Sequence, residues 1–207
     1  MRKEIRLSGF GGQGVGLAGY ILGKALSLYA GYEAVMTQAY GPEARGGASS
    51  ADIVVSDEPI DYPFVEQPDI LVALSQAAYA KFRPDARPDA LVLIDDGLVN
   101  PFADDHPRRI PATRLAEELG GRVVANMVML GFFTGVTGLV ESGAMKQAIE
   151  SSVKAPTVPL NIRAFEAGLE HALVVSVDSR QAGEHVGGSV GDRPELVDSR
   201  HTGEHAP

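Results

Sequence analysis

The 207-residue chain has no cysteine and no tryptophan, and its 18 lysines and arginines are outnumbered by 27 aspartates and glutamates, for a formal net charge of −9. The missing cysteine excludes disulfides, thiolate-bound zinc and any iron–sulfur cluster held by this chain's own thiolates. If iron–sulfur chemistry matters here, another subunit carries it. So acidic a balance leaves no basic footprint for the phosphates of a duplex, which sets nucleic acid aside as a partner. No stretch sustains the roughly 20 apolar residues that a membrane-spanning helix needs. The start, M-R-K-E-I-R, lacks the apolar core of a signal peptide. The expectation is a soluble, cytoplasmic protein with no membrane partner.

What the chain does have is a sharply punctuated beginning. Ile5 and Leu7 alternate with Glu4 and Arg6 as in a half-buried strand, and residues 8–16 read S-G-F-G-G-Q-G-V-G. Val15, Leu17, Ala18, Ile21, Leu22, Ala25 and Leu26 then recur at helical spacing. A strand, a glycine turn and a helix in that order let backbone approach a ligand closely, and the unpaired N–H groups at the helix start suit an anion. Gly31 is placed to cap this helix, and residues 32–38 read as a second strand. A second loop, A-Y-G-P-E-A-R-G-G at 39–47, runs directly into a strand candidate at 48–56.

Further on, Pro59 and Pro63 break regular structure across 57–67. The runs D-I-L-V-A-L-S after Pro68 and A-L-V-L-I-D at 90–95 suit strands buried on both faces of a parallel sheet, with a short helix at 76–82 between them. Residues 108–111 suggest an edge strand, and Thr113 an N-cap for a helix over 114–119. From Asn126 the chain is apolar nearly all round, as in a helix buried between layers or subunits. An amphipathic helix at 141–152 follows, Pro156 and Pro159 frame a loop, and a helix at 160–173 closes the domain.

The alternation predicts a three-layer, Rossmann-like α/β domain over residues 1–175 with a mostly parallel sheet. Ligands gather at the carboxyl ends of such strands, which puts both glycine-rich loops on one edge. From Ser176 the character changes: V-D-S-R-Q-A-G-E-H at Val177 recurs as V-D-S-R-H-T-G-E-H at Val197. Two copies do not make a solenoid. Residues 176–207 are expected to form a low-complexity, extended or disordered tail, whose His185, His201 and His205 are read as solvated rather than metal-bound.

Gly9, Gly11 and Gly14 satisfy G-x-G-x-x-G in a strand-to-helix context. An NAD site also wants an acid at the end of the second strand, where this chain has Thr37-Gln38, while Glu33 falls at that strand's beginning. Gly23-Lys24-Ala25 lacks the Ser or Thr of a P-loop. A tight turn needed only for packing helix on sheet stays open as the plainer alternative. Gln13 can donate to a phosphate or carbonyl and accept from an amine, or simply bond its own loop. Glu43 and Arg45 can pair with each other at little gain, or Arg45 can offer its fork to a phosphate or a partner's carboxylate. There is no G-x-S-x-G elbow, and His106 sits in a proline-rich connector, so no self-contained catalytic set is legible.

Taken together, G-F-G-G-Q-G-V at 9–15, T-Q-A-Y-G-P-E-A-R-G-G at 37–47, A-N-M-V-M-L-G at 125–131 and N-I-R-A-F-E-A-G at 161–168 resemble the gamma subunit of 2-oxoacid:acceptor oxidoreductases and the similar domain III of pyruvate:ferredoxin oxidoreductase. The resemblance implies a complex that oxidatively decarboxylates a 2-oxoacid to an acyl-CoA, using thiamine diphosphate with Mg²⁺, and passes electrons through iron–sulfur clusters to ferredoxin or another acceptor. It implies that alpha and beta subunits hold the thiamine cofactor and the catalytic residues. Clusters would lie on beta and on a ferredoxin-like delta chain, and the gamma unit would help to close the CoA site. It therefore implies no catalytic residue, no metal and no cofactor held by this chain alone. The residues it places toward CoA or the neighbouring subunits are Gly9, Gly11, Gly12, Gln13, Gly14, Tyr40, Gly41, Glu43, Arg45, Gly46 and Asn126. Two alternatives stand beside it: a free-standing NAD(P)-dependent oxidoreductase using the first loop, and a purely structural subunit whose loops serve docking.

Overall fold

Residues 2–10 present two different faces, with Ile5 and Leu7 buried on one and Arg6 and Ser8 buried on the other. In the computed structural model they form strand β1 (Arg2–Phe10), inside a six-stranded sheet. The structure describes residues 1–39 and 47–184, the side chains of 176–184 excepted. The remaining strands are β2 (Glu33–Ala39), β3 (Ala48–Ser56), β4 (Ile70–Ala73), β5 (Leu91–Asp95) and β6 (Arg108–Ile110), in the order β2-β3-β1-β4-β5-β6. From β1 outward, β4, β5 and β6 are parallel neighbours, whereas β3 runs antiparallel to both β1 and β2. Five strands thus share one direction and β3 opposes them, so the sheet is mostly parallel with one reversed member.

The helices are α1 (Val15–Lys24), continued by a π-helical turn at Ala25–Tyr29, then α2 (Gln76–Phe82), α3 (Ala112–Glu118), α4 (Ala125–Thr137), α5 (Ser142–Glu150) and α6 (Val158–Glu184). Ile5, Leu7, Ile53 and Leu93 share one apolar core with α1, α4 and α5, while Leu71, Ala73, Val92 and Ile94 pack with Ala78, Tyr79 and Phe82 of α2 in a second. Helices on both faces of one sheet give the three layers. On the α2 side, Arg6 is buried beside its cross-strand neighbour Asp52 and donates to it twice, from Nε at 2.9 Å and Nη2 at 2.7 Å. A third bond, from Nη2 to the carbonyl of Val65 at 3.0 Å, ties the 57–69 excursion to the sheet.

The all-round apolar character of α4 is explained inside the chain. Every residue from Asn126 to Thr134 is buried, and α6 lies across the helix at backbone contact. A Cβ added at Gly131 would overlap the carbonyl oxygen of Phe165, and one at Gly168 would overlap that of Val128. One at Gly135 would stand 2.5 Å from the Cβ of Ala172. Small residues four apart, 131 and 135 on α4 and 164, 168 and 172 on α6, align on one face of each helix and let the two backbones meet.

Three local expectations are corrected. Thr113 is not an N-cap: α3 begins at Ala112 after Pro111, and the Thr113 N–H and hydroxyl both donate to Asp95 at the end of β5, at 2.9 and 2.5 Å. A carboxylate from a neighbouring strand supplies what a local cap would have. Pro159 is not in a loop but in the first turn of α6, where its missing N–H has no intrahelical partner to lose. That helix also passes residue 173 to reach Glu184, since no glycine or proline intervenes from Leu169 to Ala182 to stop it. Residues 185–207, with the second copy of the repeat, lie outside the described residues.

Candidate functional site

The site grows from the carboxyl edge of the sheet. Strand β1 ends at Phe10, the chain turns through Gly11 to Gly14, and α1 starts at Val15. Gly12 and Gly14 hold φ of 99° and 71°, the left-handed region where a side chain is costly. Gln13 closes the turn from within. Its Oε1 accepts from the Phe10 N–H at 2.9 Å, its Nε2 donates to the carbonyl of Leu74 beyond β4 at 2.7 Å, and its own N–H donates to the Phe10 carbonyl at 3.2 Å. Gly9 must be glycine for this bracket to fit, because a Cβ there would stand 2.6 Å from Gln13 Oε1 and 2.9 Å from Val15 Cγ2.

The structure brings Asn126 to this turn across 112 residues of sequence. Buried at the start of α4, it donates from Nδ2 to the Gly14 carbonyl at 3.2 Å and accepts at Oδ1 from the Met127 N–H at 2.9 Å. Gly14 in turn leaves room for the Asn126 amide, which an added Cβ would overlap. Asn126 thus pins the turn to the α4 layer, a role that no local pattern announces.

The first turn of α1 has no side-chain cap. Its hydrogen-bond ladder opens with the Ala18 N–H donating to Gly14 at 2.9 Å, so the N–H groups of residues 15–17 precede the ladder and aim past the carboxyl edge. Among the described residues, a Cβ at Gly11 or Gly12 would meet nothing within 4 Å. Among the described residues, this edge therefore offers backbone donors that no side chain caps, an arrangement suited to an anion rather than to a metal ion.

The second loop starts from the same edge. Phe10 lies opposite Ala48 and Ala39 opposite Ser50, so β1 and β2 end on either side of the first residues of β3. Gln38 reaches α1 as well, its Nε2 lying 3.0 Å from where a Cβ on Gly16 would be. Tyr40, Gly41, Glu43, Arg45 and Gly46 lie outside the described residues.

Two clefts open on this edge and share Val123 as a wall. The first, of about 290 Å³, is lined by Phe10, Gly12, Gln13, Leu98, Thr113 and Arg122 among others. The second, of about 320 Å³, lies between Leu17 of α1, the 3-10 turn Arg122–Val124 and residues 152–161. Leu98 is carried by a segment pinned to α2: Arg83 grips Asp105 with Nε and Nη2, both at 2.7 Å, Tyr79 donates to the same carboxylate, and the Phe102 N–H donates to the Tyr79 oxygen at 3.1 Å. The Arg83 bonds hold the Asp105 pKa below the ordinary carboxylate value against its partial burial, and burial, followed by the bond to Asp105, raises that of Tyr79. Among the described residues, no group of His, Asp and Glu side chains is arranged to hold a metal ion, and no helix is long and apolar enough to cross a membrane.

Comparison with known proteins follows the same outline. Residues 4–171 match the family model described as pyruvate ferredoxin/flavodoxin oxidoreductase. The chain is 54% identical over 177 residues to 2-oxoglutarate synthase subunit KorC of Methanocaldococcus jannaschii, covering 83% of this chain and 95% of that one. It superposes with a TM-score of 0.76 on the crystal structure of a keto/oxoacid ferredoxin oxidoreductase gamma subunit from Geobacter sulfurreducens, at 40% identity over 84% of this chain and 98% of the other. A 2-oxoglutarate:ferredoxin oxidoreductase from Magnetococcus marinus, solved with 2-oxoglutarate, coenzyme A and succinyl-CoA bound, shares the fold at a TM-score of 0.76 but 22% identity, over 84% of this chain and 31% of that longer one. The chain belongs to the pyruvate ferredoxin/flavodoxin oxidoreductase family, as a gamma-type subunit of a 2-oxoacid oxidoreductase.

Proposed function

We propose that this subunit serves a complex that oxidises 2-oxoglutarate to succinyl-CoA, and that its carboxyl edge forms one wall of the CoA cleft. Identity of 54% to a 2-oxoglutarate synthase subunit supports the choice of 2-oxoacid. The observation that carries the cleft assignment is the uncapped first turn of α1 beside the open approach at Gly11 and Gly12. In this reading Gln13 and Asn126 hold the turn in shape, the N–H groups of residues 15–17 meet phosphate, and Arg45 from the second loop adds a fork. Tyr40, Gly41, Glu43 and Gly46 complete that loop's contact with CoA or the neighbouring subunit. Thiamine diphosphate, Mg²⁺ and the iron–sulfur clusters belong to alpha, beta and delta partners, and electrons leave to ferredoxin. With no cysteine in its sequence, this chain can bind neither cluster by thiolates nor acyl groups by a thioester.

In the assembled enzyme, Arg45→Ala should raise the KM for CoA about tenfold, as loss of one charge-assisted contact does, with kcat little changed. Unchanged CoA kinetics in a normally assembled variant would remove the edge from the CoA site. Tight binding of NADH to the chain in equilibrium dialysis would instead favour a dehydrogenase.

A further inference from the structure

Asp95 ends β5 on the carboxyl edge and is fully buried, yet it carries a carboxylate. Both of its oxygens are in use. Oδ1 accepts from the Gly97 N–H at 3.2 Å, and Oδ2 accepts from the Thr113 N–H at 2.9 Å and the Thr113 hydroxyl at 2.5 Å. The two oxygens thus reach two separate pieces of chain, the turn after β5 that carries Leu98 and the start of α3. Leu98 and Thr113 are both walls of the first cleft, whereas Asp95 itself lies behind them. Gln13 ties two further walls, accepting from the Phe10 N–H and donating to the Leu74 carbonyl. Four walls are therefore fastened in pairs by two side chains.

Capping a helix start does not by itself call for a buried acid, since asparagine or serine does so without taking a carboxylate out of water. What neither can do is accept on both sides at once. Asparagine has one acceptor oxygen, and its NH2, turned to the other side, would face an N–H donor. A carboxylate holds the Leu98 turn and Thr113 together. We infer that Asp95 is a positioning residue: it touches no ligand and sets the distance between the Leu98 and Thr113 walls, so that the first cleft fits the part of CoA adjoining the phosphate at the start of α1. Gly12 and Gln13 make that adjacency, because they belong both to the turn before α1 and to the lining of the cleft. Phe10, Leu74, Leu98 and Val123 leave the walls chiefly apolar, which suits an uncharged stretch of the ligand. The inference rests on the CoA reading of this edge.

The test is Asp95→Asn in the assembled enzyme. The KM for CoA should rise about fivefold or more, with kcat and the KM for the 2-oxoacid within about twofold of wild type. A residue that served folding alone would lower the yield of active enzyme and leave the KM for CoA where it was, and that outcome overturns the inference. Hydrogen exchange measured without CoA reads the fastening itself: it should quicken at Gly97, Leu98 and Thr113 and not at Phe102, and unchanged exchange overturns it as well. Thr113→Val removes one of the bonds to Asp95 and should raise the KM for CoA less, with Thr113→Ser closer to wild type. If Asp95→Asn does not assemble, an unchanged KM for CoA in Thr113→Val overturns the inference. Asp89→Asn, exposed near the other end of the same strand, should change neither exchange at these amides nor CoA kinetics. A raised KM in Arg45→Ala beside an unchanged one in Asp95→Asn leaves CoA on this edge and removes Asp95 from it. Unchanged values in both remove the CoA reading too.

Discussion

Glycines at two places in this fold do opposite things. At the α4–α6 crossing, Gly131 and Gly168 are filled by the facing backbone, so an added Cβ has a carbonyl oxygen to overlap and nothing flexible to push aside. At the first turn, Gly11 and Gly12 meet no described residue where a Cβ would be. Gly9 and Gly14 fall between these extremes, making room for the amides of Gln13 and Asn126, which belong to movable side chains. The difference separates glycines spent on folding from glycines left over for something outside the chain. A motif that counts them alike cannot tell the two apart.

The sharpest way to break the comparison is Gly168→Ala. It should cost about 3 kcal/mol or more, because two packed helices must separate to admit one methyl group, and denaturant unfolding or loss of soluble protein would show it. Gly14→Ala should cost less, about 1–2 kcal/mol for a left-handed residue with a side-chain amide that can shift. Gly11→Ala should change stability by no more than about 0.5 kcal/mol, as surface substitutions do, while raising the KM for CoA in the assembled enzyme. A large stability loss at Gly11 would mean that the turn, too, is used up in folding.

The sequence read well wherever the cause of structure was local. β3 and α2 were legible to the residue, since the Gly46-Gly47 pair precedes one and Ser75 caps the other, accepting from the Ala78 N–H at 3.3 Å. Reading failed where the cause lies across space. Thr113 resembles a cap, but the acceptor that organises this helix start is Asp95 from β5. The apolar girth of α4 suggested a layer or a subunit as cover, and the cover is α6, admitted by glycines whose spacing went unread. Of the candidate site, the two-loop edge was legible from strand order, because β1 and β2 run the same way. That Gln13 is turned inward and Asn126 reaches Gly14 was not, since both depend on partners 61 and 112 residues away.

The α4–α6 crossing has one more consequence. Where Gly131 meets Phe165 and Gly168 meets Val128, backbone lies against backbone with no side chain between to change rotamer, so these points work as a clamp. Helix α6 runs 27 residues, about 40 Å, and the last residue in the clamp is Ala172. The twelve residues beyond it form a lever of about 18 Å, whose tip would move about 3 Å for a tilt of about 10° at the clamp. Holding that angle fixes the direction in which the chain leaves the domain, so the methyl groups absent at positions 131 and 168 decide where its far end is aimed.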